Sequence, residues 1–194
     1  IGDTVLIERA GDVIPKVVKV IQEKRPAVTK RFTLPTNCPV CKHQVYQTDG
    51  EAILRCGNTS CTKQIKGRLK HFCSKGAMDI DGLGEKVINQ LVDEELLDSI
   101  SSIFSITEQS LLSLERFGEK SSSNLISAIR RSKKTSFSKF VYGLGIRNVG
   151  EHIARLLELH FKGNIRSLTI LLAMFMIPSI KFTRNIFINL GLSL

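Results

Sequence analysis

Apolar and polar residues alternate over residues 1–22, with Val5 and Ile7 in one run and Val13, Val17 and Val18 in the next. Ala10-Gly11-Asp12 separates the two runs. Period-two alternation around such a turn predicts two β-strands, and Pro15 and Pro26 limit their length. Two strands cannot bury a core alone, so the pair is expected to be the end of a β-barrel that starts upstream. Residues 23–37 read as a linker broken by "EKRP" and "LPTN". From Thr62 the period becomes helical. Ile65, Leu69 and Phe72 fall on one face, and Lys63, Lys66 and Lys70 lie elsewhere on the helix. After Gly76 the pattern stays helical, in short segments cut by glycine-bearing turns. The run Leu168–Pro178 is apolar but too short for a bilayer, and it is expected to be a buried helix.

Composition changes this picture in one respect. The 194 residues hold 28 Lys and Arg against 18 Asp and Glu, a net charge of +10. Such a balance favours a polyanionic partner. A hydrophobic fraction of 42% fits a folded chain rather than a disordered one, and the absence of Trp with 6% aromatic residues points to small modules rather than one large aromatic core. The opening residues carry no charged leader before an apolar run, so no secretory signal is read there. The chain is expected to be an excerpt of a longer protein.

Four of the five cysteines lie in "CPVCKHQVYQTDGEAILRCGNTSC", residues 38–61. Cys38 and Cys41 form a two-residue-spaced pair, and Cys56 and Cys61 form a second pair across an arm expected to be a hairpin tipped by Asp49-Gly50. Two such pairs can bring four sulfurs to one tetrahedral Zn2+ centre. The competing reading is two disulfides, which a reducing compartment disfavours. Four thiolates close a metal site, so the ion is expected to hold the fold and not to do chemistry. Cys73 falls on the apolar face of the next helix and is expected to be a small buried hydrophobe. His43 and His71 are not needed as ligands.

Three later stretches share a plan: an apolar helix end, a glycine turn and a second helix. They are "MDIDGLGEKVINQLV" with Gly82 and Gly84, "LERFGEKSSSNLISAI" with Gly118, and "FVYGLGIRNVGEHIARLLELHF" with Gly143, Gly145 and Gly150. Their second helices are expected to turn inward Val87, Ile88 and Leu91, then Leu125, Ile126 and Ile129, then Ile153, Leu156 and Leu157. Glycine lets backbone approach a ligand closely, and the helix start presents unpaired N–H groups and the positive dipole end. A phosphate fits there, with Lys86, Lys120 and Arg147 as flanking cations. This helix–hairpin–helix pattern is expected to hold duplex DNA by its backbone, with little sequence preference.

Taken together, "IGDTVLIERAGDVIPKV", the cysteine cluster, "HFCSKGAMDIDGLGEKVINQL" and "LGIRNVGEHIARLL" resemble, in order, the C-terminal half of bacterial NAD-dependent DNA ligases. The resemblance runs from Ile1 to about Phe161. It implies a multidomain, mainly α chain. Residues 1–31 would end an oligonucleotide-binding (OB-type) barrel, 32–62 would be a four-cysteine zinc module, 63–162 a helix–hairpin–helix domain, and 163–194 a divergent tail. It implies that Cys38, Cys41, Cys56 and Cys61 are the zinc ligands and that Arg9, Gly11 and Asp12 lie in a DNA-contacting loop of the barrel. Gly82, Gly84, Lys86, Gly118, Lys120, Gly145, Arg147 and Gly150 would clamp phosphates in the minor groove. The family seals nicks between 3′-hydroxyl and 5′-phosphate ends in replication and repair. It passes AMP from NAD+ through a lysine to the 5′-phosphate, with Mg2+ or Mn2+.

The family's Lys-x-Asp-Gly nucleophile is absent here. The nearest sequence, Gln47-Thr48-Asp49-Gly50, has glutamine in place of lysine. The chain is therefore expected to bind nicked duplex without sealing it, with NAD+ and the divalent ion held upstream. The implied setting is the bacterial cytoplasm, on the nucleoid, with no membrane and no stable protein partner. At the other end, Ile177-Pro178-Ser179-Ile180-Lys181 stands where the family opens a fourth hairpin with two glycines, and the family's closing BRCT domain is missing. A truncated, frame-disrupted or divergent gene product is the expectation that would explain this, and a non-functional remnant, whose altered tail prevents stable folding, is a further reading. A stand-alone, non-enzymatic zinc and helix–hairpin–helix repair protein is the alternative reading.

Overall fold

The computed structural model describes residues 2–10, 14–115, 117–164 and 166. Contacts divide the chain into two compact units, Ile1–Arg55 and Cys56–Leu194. It is mainly helical, with six α-helices and two small two-stranded sheets among the described residues.

In the first unit, β1 (Val5–Ala10) pairs antiparallel with β2 (Ile14–Val20). Glu8 faces Lys16 across the ladder, and the register shifts between Leu6 and Ile7. A bulge at such a shift bends and twists the strand. Val5, Leu6, Ile7, Ile14, Val17 and Val18 are all exposed, so this ribbon carries apolar side chains but no core of its own. Val13 lies outside the described residues. A short 3₁₀ turn, Gln22–Lys24, leads into extended chain. Arg25 reaches back to Asp3 at 3.0 Å.

The short strands β3 (Val45–Gln47) and β4 (Leu54–Cys56) pair around the Asp49-Gly50 turn, where Gly50 has φ +80°. Helix α1 (Thr62–Cys73) starts directly after Cys61 and buries Leu69, Phe72 and Cys73. Then come α2 (Glu85–Asp93), α3 (Glu108–Leu112), α4 (Glu119–Ser132), α5 (Phe137–Gly143) and α6 (Glu151–Phe161). Thr107 caps α3 and Ser136 caps α5 through their side-chain oxygens, which satisfies N–H groups that a helix start leaves unpaired.

Helix α1 packs on α2 and α5, α3 on α4, and α5 on α6. Phe72 is the hub. Its ring meets those of Phe104 and Phe140 edge to face, at centroid distances of 6.2 and 6.5 Å. A Cβ added at Gly143 would sit 3.2 Å from Phe72, so α1 and α5 touch where the glycine removes a side chain. Phe72→Ala is expected to lower stability by about 3–5 kcal/mol, the usual cost of deleting a buried aromatic. Denaturant titration of the 194-residue chain checks this.

The inward faces expected of α2 and α4 are observed, with Ile88, Leu91, Leu125 and Ile129 buried and Val87 and Ile126 half-buried. Helix α6 differs. Ile153 and Leu156 are 40% and 48% exposed, whereas Ala154 is 0% exposed. The stripe that packs is Ala154, Leu157 and Phe161. A small residue lets α6 approach its neighbour, and this rotates the larger apolar residues outward.

Candidate functional site

The cysteine cluster is built by two short loops and a hairpin. The Cys38 N–H donates to the His43 carbonyl at 2.8 Å, and the Lys42 N–H donates to the Cys38 carbonyl at 2.9 Å. Lys42 holds φ +60°, which closes the knuckle between Cys38 and Cys41. The second loop is closed by the Cys61 N–H on the Asn58 carbonyl at 3.1 Å, and Arg68 of α1 donates to the Thr59 carbonyl. Burial lowers the pKa of Arg68.

The Sγ atoms of Cys38, Cys41, Cys56 and Cys61 all lie within 4.8 Å of one another. A tetrahedral ion with Zn–S of about 2.3 Å sets its sulfurs about 3.8 Å apart, so a small contraction completes the site. The structure joins none of the five cysteines in a disulfide, which does not match the disulfide reading. Four soft sulfur donors in a closed tetrahedron fit Zn2+ and leave no position for substrate. Cys73 is buried away from this set, and burial pushes its thiol up to about 12. It is inert at neutral pH.

The three glycine corners are formed in the second unit. Gly84, Gly118 and Gly150 are the N-caps of α2, α4 and α6, with extended backbone near ψ 173°, 172° and −179°. No side chain caps α2 or α6, so their first N–H groups point outward without a protein acceptor on the cap residue. At α4, Ser121 Oγ accepts from the Gly118 N–H at 2.9 Å. Gly82 and Gly145 are different in kind. They hold φ +88° and +64°, the left-handed region that glycine enters without strain. Lys86, Lys120 and Arg147 are exposed beside the corners.

One cleft of about 1230 Å³ joins the first two corners. It runs between α2 and α4, with Gly82, Lys86, Ser121, Asn124 and Arg131 on its walls. The third corner is not among its lining residues. Arg9 stands exposed on β1, opposite Pro15. Gly11, Asp12 and residues 167–194 lie outside the described residues, so the expectations placed there gain no structural account.

Two features escaped the sequence reading. Each corner continues into a first-turn acid: Glu85, Glu119 and Glu151. Lys70 holds Glu85, and that hydrogen bond and charge lower its carboxyl pKa. The repeated Gly-Glu pair was visible in the sequence as a signal. The second feature is His71, whose Nε2 donates to the Tyr142 carbonyl at 2.8 Å. Its ring lies 4.7 Å from that of Tyr142, and a Cβ at Gly145 would sit 3.4 Å from His71 Cδ2. Helix α1 thereby fixes the third corner across a separation of 71 residues. His71→Ala removes a bond worth about 1 kcal/mol. It is expected to loosen that corner while zinc content stays at one ion per chain, and amide exchange at Gly145 checks this.

Among the described residues, no helix is long and apolar enough to cross a membrane. Residues 37–62 match the family model described as the NAD-dependent DNA ligase C4 zinc finger domain. A curated relative, a DNA ligase from Hahella chejuensis (strain KCTC 2396), is 52% identical over 162 residues. That alignment covers 83% of this chain and 24% of the relative, so the chain spans about a quarter of the relative's length.

Proposed function

This chain corresponds to the C-terminal part of NAD-dependent DNA ligases, and on that premise we propose that it is the part that grips duplex DNA while domains outside it carry the nick-sealing chemistry. Residues 1–31 contribute strands to an OB-type barrel, 32–62 form the zinc module, and 63–162 form the helix–hairpin–helix domain. The exposed apolar side chains of β1 and β2 fit strands that belong to a larger barrel, with Arg9, Gly11 and Asp12 near DNA. Cys38, Cys41, Cys56 and Cys61 hold a structural Zn2+, which sets the start of α1.

The carrying observation is the set of glycine N-caps. Gly84 and Gly150 start helices of nine and eleven residues with no side-chain cap. A side-chain cap would occupy the N–H groups that a phosphate needs. Gly118 leaves the same open approach, since nothing lies within 4 Å of its added Cβ. Lys86, Lys120 and Arg147 supply the flanking charge. These contacts read the backbone and not base edges, so the preferred partner is nicked or intact duplex of any sequence. The chain works on DNA in the cytoplasm, and NAD+ and the divalent ion of catalysis are bound by other parts of the enzyme.

Fluorescence anisotropy with several duplexes of unrelated sequence tests the reading. Affinity should be alike for all of them and fall steeply with salt, with a log–log slope of about −0.9 per phosphate contacted. A nick-sealing assay with NAD+ and Mg2+ should give no product. A strong preference for one sequence would sink the backbone reading, and sealed product would sink the division of labour.

A further inference from the structure

The apolar surface that the helical unit leaves exposed is concentrated on one helix. Among the described residues from Cys56 onward, four large apolar side chains are exposed, and three of them, Ile153, Leu156 and Leu159, belong to α6. They are 40%, 48% and 75% exposed. A spacing of three puts neighbours on one side of a helix, and this side is not the stripe of Ala154, Leu157 and Phe161 that packs inward. The apolar face of α6 is therefore wider than the part its neighbour α5 covers.

The way α6 ends indicates what covers the outer stripe. Lys162 holds φ +50° and Gly163 φ +72°, so two successive residues lie in the left-handed region. The Gly163 N–H donates to the Glu158 carbonyl at 3.3 Å, a bond that wraps the helix end and stops it there. Asn164 Oδ1 then accepts from the Arg166 N–H at 3.0 Å, the bond with which an asparagine N-cap starts a helix, and Arg166 is helical. The connection from α6 to Arg166 is thus four residues long, 162–165. Helices joined by so short a loop are antiparallel neighbours, so the chain is sent back along α6.

The segment that follows suits that stripe. Residues 168–177 are all apolar except Thr169, and none is charged. A helical stretch of that composition has no polar face to offer water. Its length also matches: ten residues of helix rise about 15 Å and the eleven of α6 about 16 Å, at about 1.5 Å per residue. Pro178, which a helix interior does not accept, closes the run. We propose that residues 168–177 fold back antiparallel to α6 and bury Ile153, Leu156 and Leu159. The helical domain then continues past residue 162, and the altered tail closes the fold rather than preventing it. The inference stands apart from the DNA-gripping function proposed above.

The test uses the 194-residue chain and amide exchange read by mass spectrometry. Residues 168–177 should exchange about 100-fold more slowly than an unstructured peptide. In a variant with Leu156→Asp and Leu159→Asp, that protection should fall about 10-fold or more, because a carboxylate cannot be buried unpaired. Exchange in α1 and α4 and a content of one zinc per chain should not change. The reciprocal variant, Leu171→Asp with Phe175→Asp, should speed exchange within α6. Methyl NOEs in the native chain, between Leu156 or Leu159 and the leucines and isoleucines of residues 168–177, report the contact without any substitution. Sedimentation should show a monomer.

Exchange over residues 168–177 as fast as in an unstructured peptide overturns the inference. So does protection that the Leu156→Asp and Leu159→Asp variant leaves unchanged, which would seat the segment elsewhere. If protection appears only at concentrations where sedimentation shows a dimer, a second copy covers the stripe and the inference again falls. Should the double variant also loosen α4 or lose zinc, the methyl contacts of the native chain decide: their presence upholds the inference and their absence overturns it. None of these readouts involves DNA, so the DNA-gripping function can fail while this inference holds, and the reverse.

Discussion

Removing zinc with a strong chelator is expected to unfold residues 37–62 and fray the first turn of α1, while most of the helical signal stays. Among residues 37–62 only Cys38 and Cys61 are buried. A segment with no apolar core has little besides the metal to offset the conformational entropy of ordering it. Zinc in small closed sites supplies about 10–16 kcal/mol of apparent folding free energy, so its loss cannot be absorbed locally. Helix α1 is affected at its start because Cys61 is its N-cap and makes no side-chain cap. Its far end is held independently, by Phe72 in the aromatic core and by His71 on Tyr142. Circular dichroism with zinc quantified in parallel checks this. Cys41→Ser should reproduce the chelated state, whereas Cys73→Ala should keep one zinc per chain, because Cys73 lies outside the cluster. A chain that lost its zinc and kept a native spectrum over the hairpin would refute the structural role.

What was legible in the sequence follows from how local each cause is. The cysteine spacing was readable because a tetrahedral ion constrains four sulfurs whatever surrounds them. The faces of α1, α2 and α4 were readable because each has one apolar stripe, closed by Leu69, Leu91 or Leu125. Helix α6 was misread because it carries two stripes, and periodicity does not say which one packs. Ala154 settled it, because its small side chain lets α6 approach the helix it packs against, and the repeat alone does not show where that neighbour lies. The pairings Lys66–Asp93, Lys70–Glu85 and His71–Tyr142 join residues 27, 15 and 71 positions apart. No local pattern encodes them.

The corner glycines looked alike in the sequence, yet they divide into two groups that should respond oppositely to substitution. Gly82 and Gly145 sit at φ +88° and +64°. A side chain there costs about 1–2 kcal/mol in backbone strain. It would also press on Leu125 at Gly82 and on His71 at Gly145, each 3.4 Å from the new Cβ. Gly82→Val and Gly145→Val should therefore lower the melting temperature, with duplex binding falling as a consequence. Gly84, Gly118 and Gly150 have φ of −76°, −100° and −82°, which any residue adopts. Nothing lies within 4 Å of a Cβ added at any of them. Alanine there costs at most about 1 kcal/mol per cap, but each methyl stands where a phosphate oxygen must come close to the helix N–H groups. The triple alanine variant should stay folded, bind zinc normally and lose about 10- to 100-fold in duplex affinity, the loss of two or three charge-assisted hydrogen bonds after screening. Anisotropy and a thermal melt on the same sample decide the matter. Native affinity in that variant would mean that these corners are structural turns, and that the duplex is held by something other than helix starts.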